Sequence, residues 1–103
     1  MSNAIILTTY KLKEGVSVSD FLLAADRFHN VFVSKQKGLI SCKLLANDEM
    51  WSDYSIWESM EDFKSTEPTT ADEHTVMNDY FSFINGESAV DLHFVVERSY
   101  NLT

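Results

Sequence analysis

The sequence predicts an α+β fold in which strands and helices follow one another as βαββαβ, with the four strands in one antiparallel sheet and the helices on one of its faces. Three observations carry this. Four stretches place apolar residues at every second position, two others place them at helical spacing, and turn-forming residues separate them all. At 103 residues the chain is expected to be a single domain, residues 1-103, because two units would each be too small to bury enough surface.

The first strand is expected from Ile5 to Leu12, with Ile6, Thr8, Tyr10 and Leu12 on one face and Ile5, Leu7 and Thr9 on the other. Gly15 ends it in a turn. Ser17 is an N-cap candidate with Asp20 three residues on, and Phe21, Ala25, Phe28 and Phe32 follow in helical register, predicting a helix from Val18 to Ser34 closed by Gly38. Leu39 to Leu45 alternates as a second strand, and Asn47 and Asp48 turn the chain back. Trp51 to Glu58 is the third strand. Trp51, Tyr54 and Trp57 have the spacing of a helix face, but the segment is too short between its turn signals to stand as one. As a strand it puts Trp51, Asp53, Ser55 and Trp57 on one face and Tyr54 and Ile56 on the other.

Ser59 with Asp62 repeats the N-cap pattern and opens a short helical piece that Pro68 is expected to terminate. A second main helix is predicted from Thr70 to Ile84, with Asp72 and Glu73 in its first turn and Gly86 just past its end. The last strand, Ser88 to Arg98, alternates Val90, Leu92, Phe94 and Val96 against Ala89, Asp91, His93 and Val95. This order is that of the ferredoxin-like, split βαβ motif. A sheet covered on one side usually shows polar residues on the other. Here apolar residues occupy both faces, which predicts a homodimer through the open sheet face.

The net charge of −8 and a pI near 4.6 argue against nucleic acid and against anionic membranes as partners, since both are bound through clustered Lys and Arg. No apolar run approaches the roughly 20 residues of a membrane span, and no secretory leader is visible. One cysteine, Cys42, cannot form an internal disulfide, so a cytoplasmic setting is expected. A small neutral molecule or another protein remains as partner.

The segments ILTTYKLKEGV, KGLISCKLL, WSDYSIWESMEDFK and AVDLHFVVE resemble the dimeric α+β barrel superfamily, in particular the antibiotic-biosynthesis-monooxygenase-like (ABM) domains. The most specific piece is IWESMEDF, a strand with Trp, an acidic residue and Ser running into an acidic helix start. The resemblance implies a dimer, in a superfamily whose members include cofactor-independent oxygenases of polycyclic aromatic quinols, haem-degrading oxygenases and many proteins of unknown role. For the haem branch only His74 has a counterpart. The first strand offers Thr8 or Thr9 where asparagine is expected, and Met60 to Glu67 holds no tryptophan, so haem degradation is not carried over. The quinol branch binds a planar substrate with Trp, Tyr, Asn and Arg, and Trp57, Tyr54, Tyr80 and Asn78 are compatible with it.

Two functional readings follow. In the first, the protein is a monooxygenase-like enzyme acting on a small aromatic substrate without a cofactor. His74, on a stripe with Met77, Phe81 and Ile84, is its base, Trp57, Tyr54 and Tyr80 form its walls, and Asn78 is a hydrogen-bond donor. It requires an enclosed cavity of roughly 300 Å3 or more in each subunit. In the second, the protein is a non-enzymatic dimeric small-molecule-binding or stress-related module, with Met77, Phe81 and Phe63 filling the cavity and His74 left in water. His29 faces the same two roles, and His93, opposite Phe94, is a candidate for the dimer interface. Cys42 reads as core, and no spacing of His, Cys or carboxylates suggests a metal site.

Overall fold

The computed structural model describes residues 2–101. In chain order the elements are β1 (Ala4–Leu12), α1 (Val18–Val31), a 3-10 turn (Val33–Lys35), β2 (Leu39–Ala46), β3 (Trp51–Trp57), α2 (Met60–Lys64), α3 (Ala71–Ser82) and β4 (Ile84–Val95). The strands form one antiparallel sheet in the order β2-β3-β1-β4, the ferredoxin-like arrangement expected.

The caps explain the helix starts. The Ser17 hydroxyl accepts from the Asp20 amide at 3.2 Å and that of Ser59 from the Asp62 amide at 3.1 Å. Thr70 and Glu73 form a full capping box, each side chain bonded to the other's main-chain N–H. Hydrogen bonds from the Thr69 and Thr70 amides hold the Glu73 carboxyl below the usual carboxylate range, the Thr69 amide foremost. The β2–β3 turn is an Asn47 turn, whose side-chain oxygen accepts from the amides of Glu49 and Met50, both at 2.8 Å.

Several ends differ from expectation. The first helix gives way to the 3-10 turn after Val31. Pro68 does not stop α2, which has already ended at Lys64, where the Ser65 amide bonds back to the Glu61 carbonyl at 3.0 Å. Gly86 is not a helix cap. β4 begins at Ile84, because Ile84 and Asn85 pair with Leu12 and Lys11 across an irregularity opposite Thr9 to Lys11. There the Lys11 amide bonds the Ser88 hydroxyl at 2.8 Å instead of a carbonyl.

The register sorts the side chains. Ala4, Ile6, Thr8 and Tyr10 of β1 share the helix-covered face with Trp57, Ser55, Asp53 and Trp51 of β3, while Ile5 and Leu7 share the other face with Ile56 and Tyr54. Leu92 and Phe94, cross-strand partners of Leu7 and Ile5, extend that open face and are 40% and 50% exposed. His93 pairs with Ile6, so it lies on the helix side and not on the open sheet face where the expected interface would be. Its ring meets Phe63 edge-on at 5.1 Å.

The core has two centres. One gathers Ala4, Ile6 and Trp57 with Leu39, Met60 and Phe63. The other gathers Tyr10, Phe21 and Tyr80, with Phe28, Leu44 and Trp51 around them. Phe21 is the hub of the second, edge-on to Trp51 at 5.0 Å and stacked on Tyr80 at 5.3 Å.

Candidate functional site

Between the two core centres the helix-covered face carries smaller side chains: Thr8 on β1, Cys42 on β2, and Asp53 and Ser55 on β3. They cannot fill the distance to α1 and α3, and a partly open cavity of about 450 Å3 results. Its walls are apolar, with Phe28 and Phe32 from α1 and the residue after it, Trp57 from β3, Phe63 from α2, and Met77, Tyr80 and Phe81 from α3.

The floor is polar. Asp53 and Tyr80 line it, and the Tyr80 hydroxyl lies 2.7 Å from Oδ1 and 2.9 Å from Oδ2 of the Asp53 carboxyl, while Tyr10, itself outside the lining, donates to Oδ1 at 2.8 Å. The two phenol oxygens are themselves 2.6 Å apart. Tyr10 and Tyr80 are both 2% exposed, so water has little access to the two phenols, while Asp53 is half-buried and borders the cavity. Burial raises the Asp53 carboxyl above its ordinary value and outweighs the two phenol hydrogen bonds, which pull the other way. Burial, reinforced by the Asp53 charge, likewise pushes both phenols up, so they are neutral hydrogen-bond donors.

On the wall formed by α1 and β2, the Cys42 sulfur is 3.5 Å from His29 Nδ1. Burial and then the Asp53 charge push the thiol up, which disfavours the thiolate a nucleophile needs. A second polar chain flanks Thr8, whose hydroxyl donates to Asp91 at 2.7 Å while Asp91 meets His93 Nε2 at 2.9 Å. Among the described residues no group of three or more His, Cys, Asp or Glu is placed to hold a metal ion. None of the helices among them is long and apolar enough to cross a membrane.

Of the residues singled out from sequence, Trp57 and Tyr80 line the cavity with their rings. The Trp57 indole N–H is already given to the Ser55 hydroxyl at 2.8 Å, so the ring offers a face and no donor. Tyr54 borders the cavity by its main chain, its side chain being turned to the open face beside Leu7. His74 and Asn78 are exposed and outside the lining. The inward stripe of α3 runs through Glu73, Val76, Met77 and Tyr80, which turns positions 74 and 78 to solvent. The binding-module reading expected His74 in water and the cavity filled by Met77, Phe81 and Phe63, and the enzyme reading expected an enclosed cavity; the structure has His74 exposed and a cavity that is partly open, with those three side chains lining it rather than filling it. Asp53, Tyr10 and His29 are the polar groups that sequence reasoning passed over or ranked low. The signal was there for Asp53, a carboxylate set between two tryptophans on the core face of a strand.

No protein-family model matches the sequence, and no curated protein matches it. Solved structures do match. SnoaB, a cofactor-independent oxygenase from Streptomyces nogalater, superposes with a TM-score of 0.74 at 11% identity over 96% of this chain and 97% of its own. A protein of Caulobacter crescentus assigned by name to the antibiotic biosynthesis monooxygenases gives 0.73 at 11% identity over 94% and 92%. A dimeric protein of unknown function with a ferredoxin-like fold, from Bacteroides fragilis, gives 0.64 at 16% identity over 91% and 96%. The chain therefore has the α+β fold of the antibiotic-biosynthesis-monooxygenase-type proteins.

Proposed function

We propose that this chain is a cofactor-independent monooxygenase-like protein acting on a small, flat, reduced aromatic of the anthrone or quinol type, and that it works as a homodimer joined through the open sheet face. The observation that carries the reading is the aromatic-walled cavity of about 450 Å3 with a half-buried carboxyl, Asp53, in its floor. That volume falls within the roughly 300–1,000 Å3 typical of small-molecule sites. The fold shared with SnoaB supports the oxygenase reading, and the dimeric Bacteroides fragilis protein supports the assembly.

In this reading Asp53, rather than His74, accepts the proton that leaves the substrate. Its raised carboxyl lies nearer the range where one group can both take and return a proton. The carbanion so formed passes electrons to dioxygen. For an anthrone, one ring CH2 and one O2 become one C=O and one water, so neither an external reductant nor a cofactor is required. Trp57, Phe28 and Phe63 hold the ring and keep water from the carbanion. Tyr80 and Tyr10 hold the carboxyl in place.

Oxygen uptake with a panel of anthrones and quinols tests this. Wild type should consume oxygen, Asp53→Asn should slow it by roughly 10²-fold or more, and His74→Ala should leave the rate unchanged. Binding without oxygen uptake across the panel would replace the enzyme with the small-molecule-binding module.

A further inference from the structure

The charge of the cavity is one-sided. Among the described residues Lys43 is the one Lys or Arg that borders it, and it does so from the main chain, since its side chain shares the open face with Tyr54. The other ionisable residues of the lining are Asp53 in the floor, Asp26 and His29 on α1, Cys42, Tyr80, and Tyr54, whose side chain is likewise turned to the open face. An imidazole on an exposed residue is thus the nearest approach to a cation, and it already bonds the Cys42 sulfur.

The floor adds a constraint that comes from counting hydrogens. Three oxygen pairs lie in hydrogen-bond range, Tyr10–Tyr80 at 2.6 Å, Tyr10–Asp53 at 2.8 Å and Tyr80–Asp53 at 2.7 Å. Each pair needs one hydrogen, and two phenols supply two. A third hydrogen on the Asp53 carboxyl closes a neutral ring in which every pair is filled. Without it, one pair is left as two facing lone pairs and the floor carries a negative charge. In neither state does the floor offer anything to an anion. It does retain capacity for a donor, because a carboxyl has about four lone-pair sites and the phenols engage three at most.

We propose that the cavity selects uncharged flat molecules bearing a hydroxyl donor, which bonds the Asp53 carboxyl beside Tyr80, and rejects analogues that carry a carboxylate. The inference rests on the cavity being the ligand site of the proposed function. It goes beyond that reading by naming which charge and which polar group the ligand has. An anion in the cavity would give up its hydration with no Lys or Arg side chain among the described residues to replace it, and near Asp53 it would meet a like charge once the ring loses its third hydrogen.

The test uses four three-ring probes of one shape: 9-hydroxymethylanthracene, 9-methylanthracene, anthracene-9-carboxylate and the ammonium of 9-aminomethylanthracene. Binding is followed by quenching of tryptophan fluorescence, since Trp57, one of the two tryptophans, lines the cavity. The carbinol should bind at least about tenfold more tightly than the carboxylate and several-fold more tightly than the methyl compound. Asp53→Leu should erase the advantage over the methyl compound, and Asp53→Asn, which keeps an acceptor, should retain it. The ligand series on wild type decides the matter even if Asp53→Leu does not fold. Equal binding of carbinol and carboxylate would overturn this inference while leaving the aromatic site intact, and tightest binding of the ammonium would replace it with a cation site. Binding of none of the four would remove the aromatic site itself.

Discussion

Replacing Tyr80 by phenylalanine takes one oxygen out of the cavity floor and leaves the ring in place. The stacking on Phe21 at 5.3 Å and on Phe28 at 5.0 Å should survive, so the change isolates the hydroxyl. That oxygen lies 2.6 Å from Tyr10 and 2.7 Å from Asp53, and with Tyr80 only 2% exposed no water can readily replace it. A hydrogen bond to a charged or charge-sharing group contributes about 1.5–3 kcal/mol, and leaving a buried partner unsatisfied costs a similar amount. The expected loss is therefore about 2–3 kcal/mol. Because Tyr10 shares both partners, Tyr10→Phe and Tyr80→Phe should be non-additive, with a coupling of about 0.5–3 kcal/mol.

The same variant has a signature in pH. The folded Asp53 carboxyl titrates above its reference value of 3.8, so folding favours its protonated form. The stability this contributes is fully present below the unfolded carboxylate's range and is lost as pH rises through the folded value. The Tyr80 hydrogen bond pulls that value down, so Tyr80→Phe should raise it and carry the loss of stability to higher pH. Asp53→Asn, having no proton to lose, should flatten the slope. Urea unfolding followed by tryptophan fluorescence, from mildly acidic to mildly alkaline pH and at one fixed protein concentration, measures both effects. A change under about 0.5 kcal/mol with an unaltered pH slope would show that the three oxygens do not act as a unit.

Two further outcomes concern the scaffold. Gly38 has φ +84° and Gly15 has φ +79°, but a Cβ on Gly38 would overlap the Asp62 side chain, 2.6 Å from its Cβ, whereas a Cβ on Gly15 would meet nothing within 4 Å. Gly15→Ala should cost only the backbone strain of about 1–2 kcal/mol, and Gly38→Ala clearly more; equal melting temperatures for the two would refute the contact. On the open sheet face, Leu92→Lys should shift a dimer toward monomer in sedimentation, and a wild type that is already monomeric at micromolar concentration would end the dimer proposal.

Much of the fold was legible because strand alternation and capping are local. Asn47 makes its turn with residues two and three positions away, and Ser17, Ser59 and Thr70 cap helices through residues three positions on. The misjudged boundary of β4 was not local. Ile84 and Gly86 look like the end of a helix, and they belong to the strand because of what lies opposite them in β1. The histidines failed for a related reason. His74 sits beside Met77 and Phe81 on a helical wheel, but the face of α3 that meets the sheet is centred on Tyr80, about 120° around the helix from position 74 on the 3.6-residue period.

The sequence alone determined the order of elements, the antiparallel hairpin at Asn47, and a third strand apolar on both faces. These follow from periodicity and short-range hydrogen bonding. Tertiary structure alone decided which face is which. It turned Trp57 and Asp53 inward and Tyr54 outward, and it set Tyr10 of β1, Asp53 of β3 and Tyr80 of α3 around one another. Those three residues are 43 and 27 positions apart in the chain. No periodic pattern reports such a meeting, because it depends on how the strands align and how α3 packs across them.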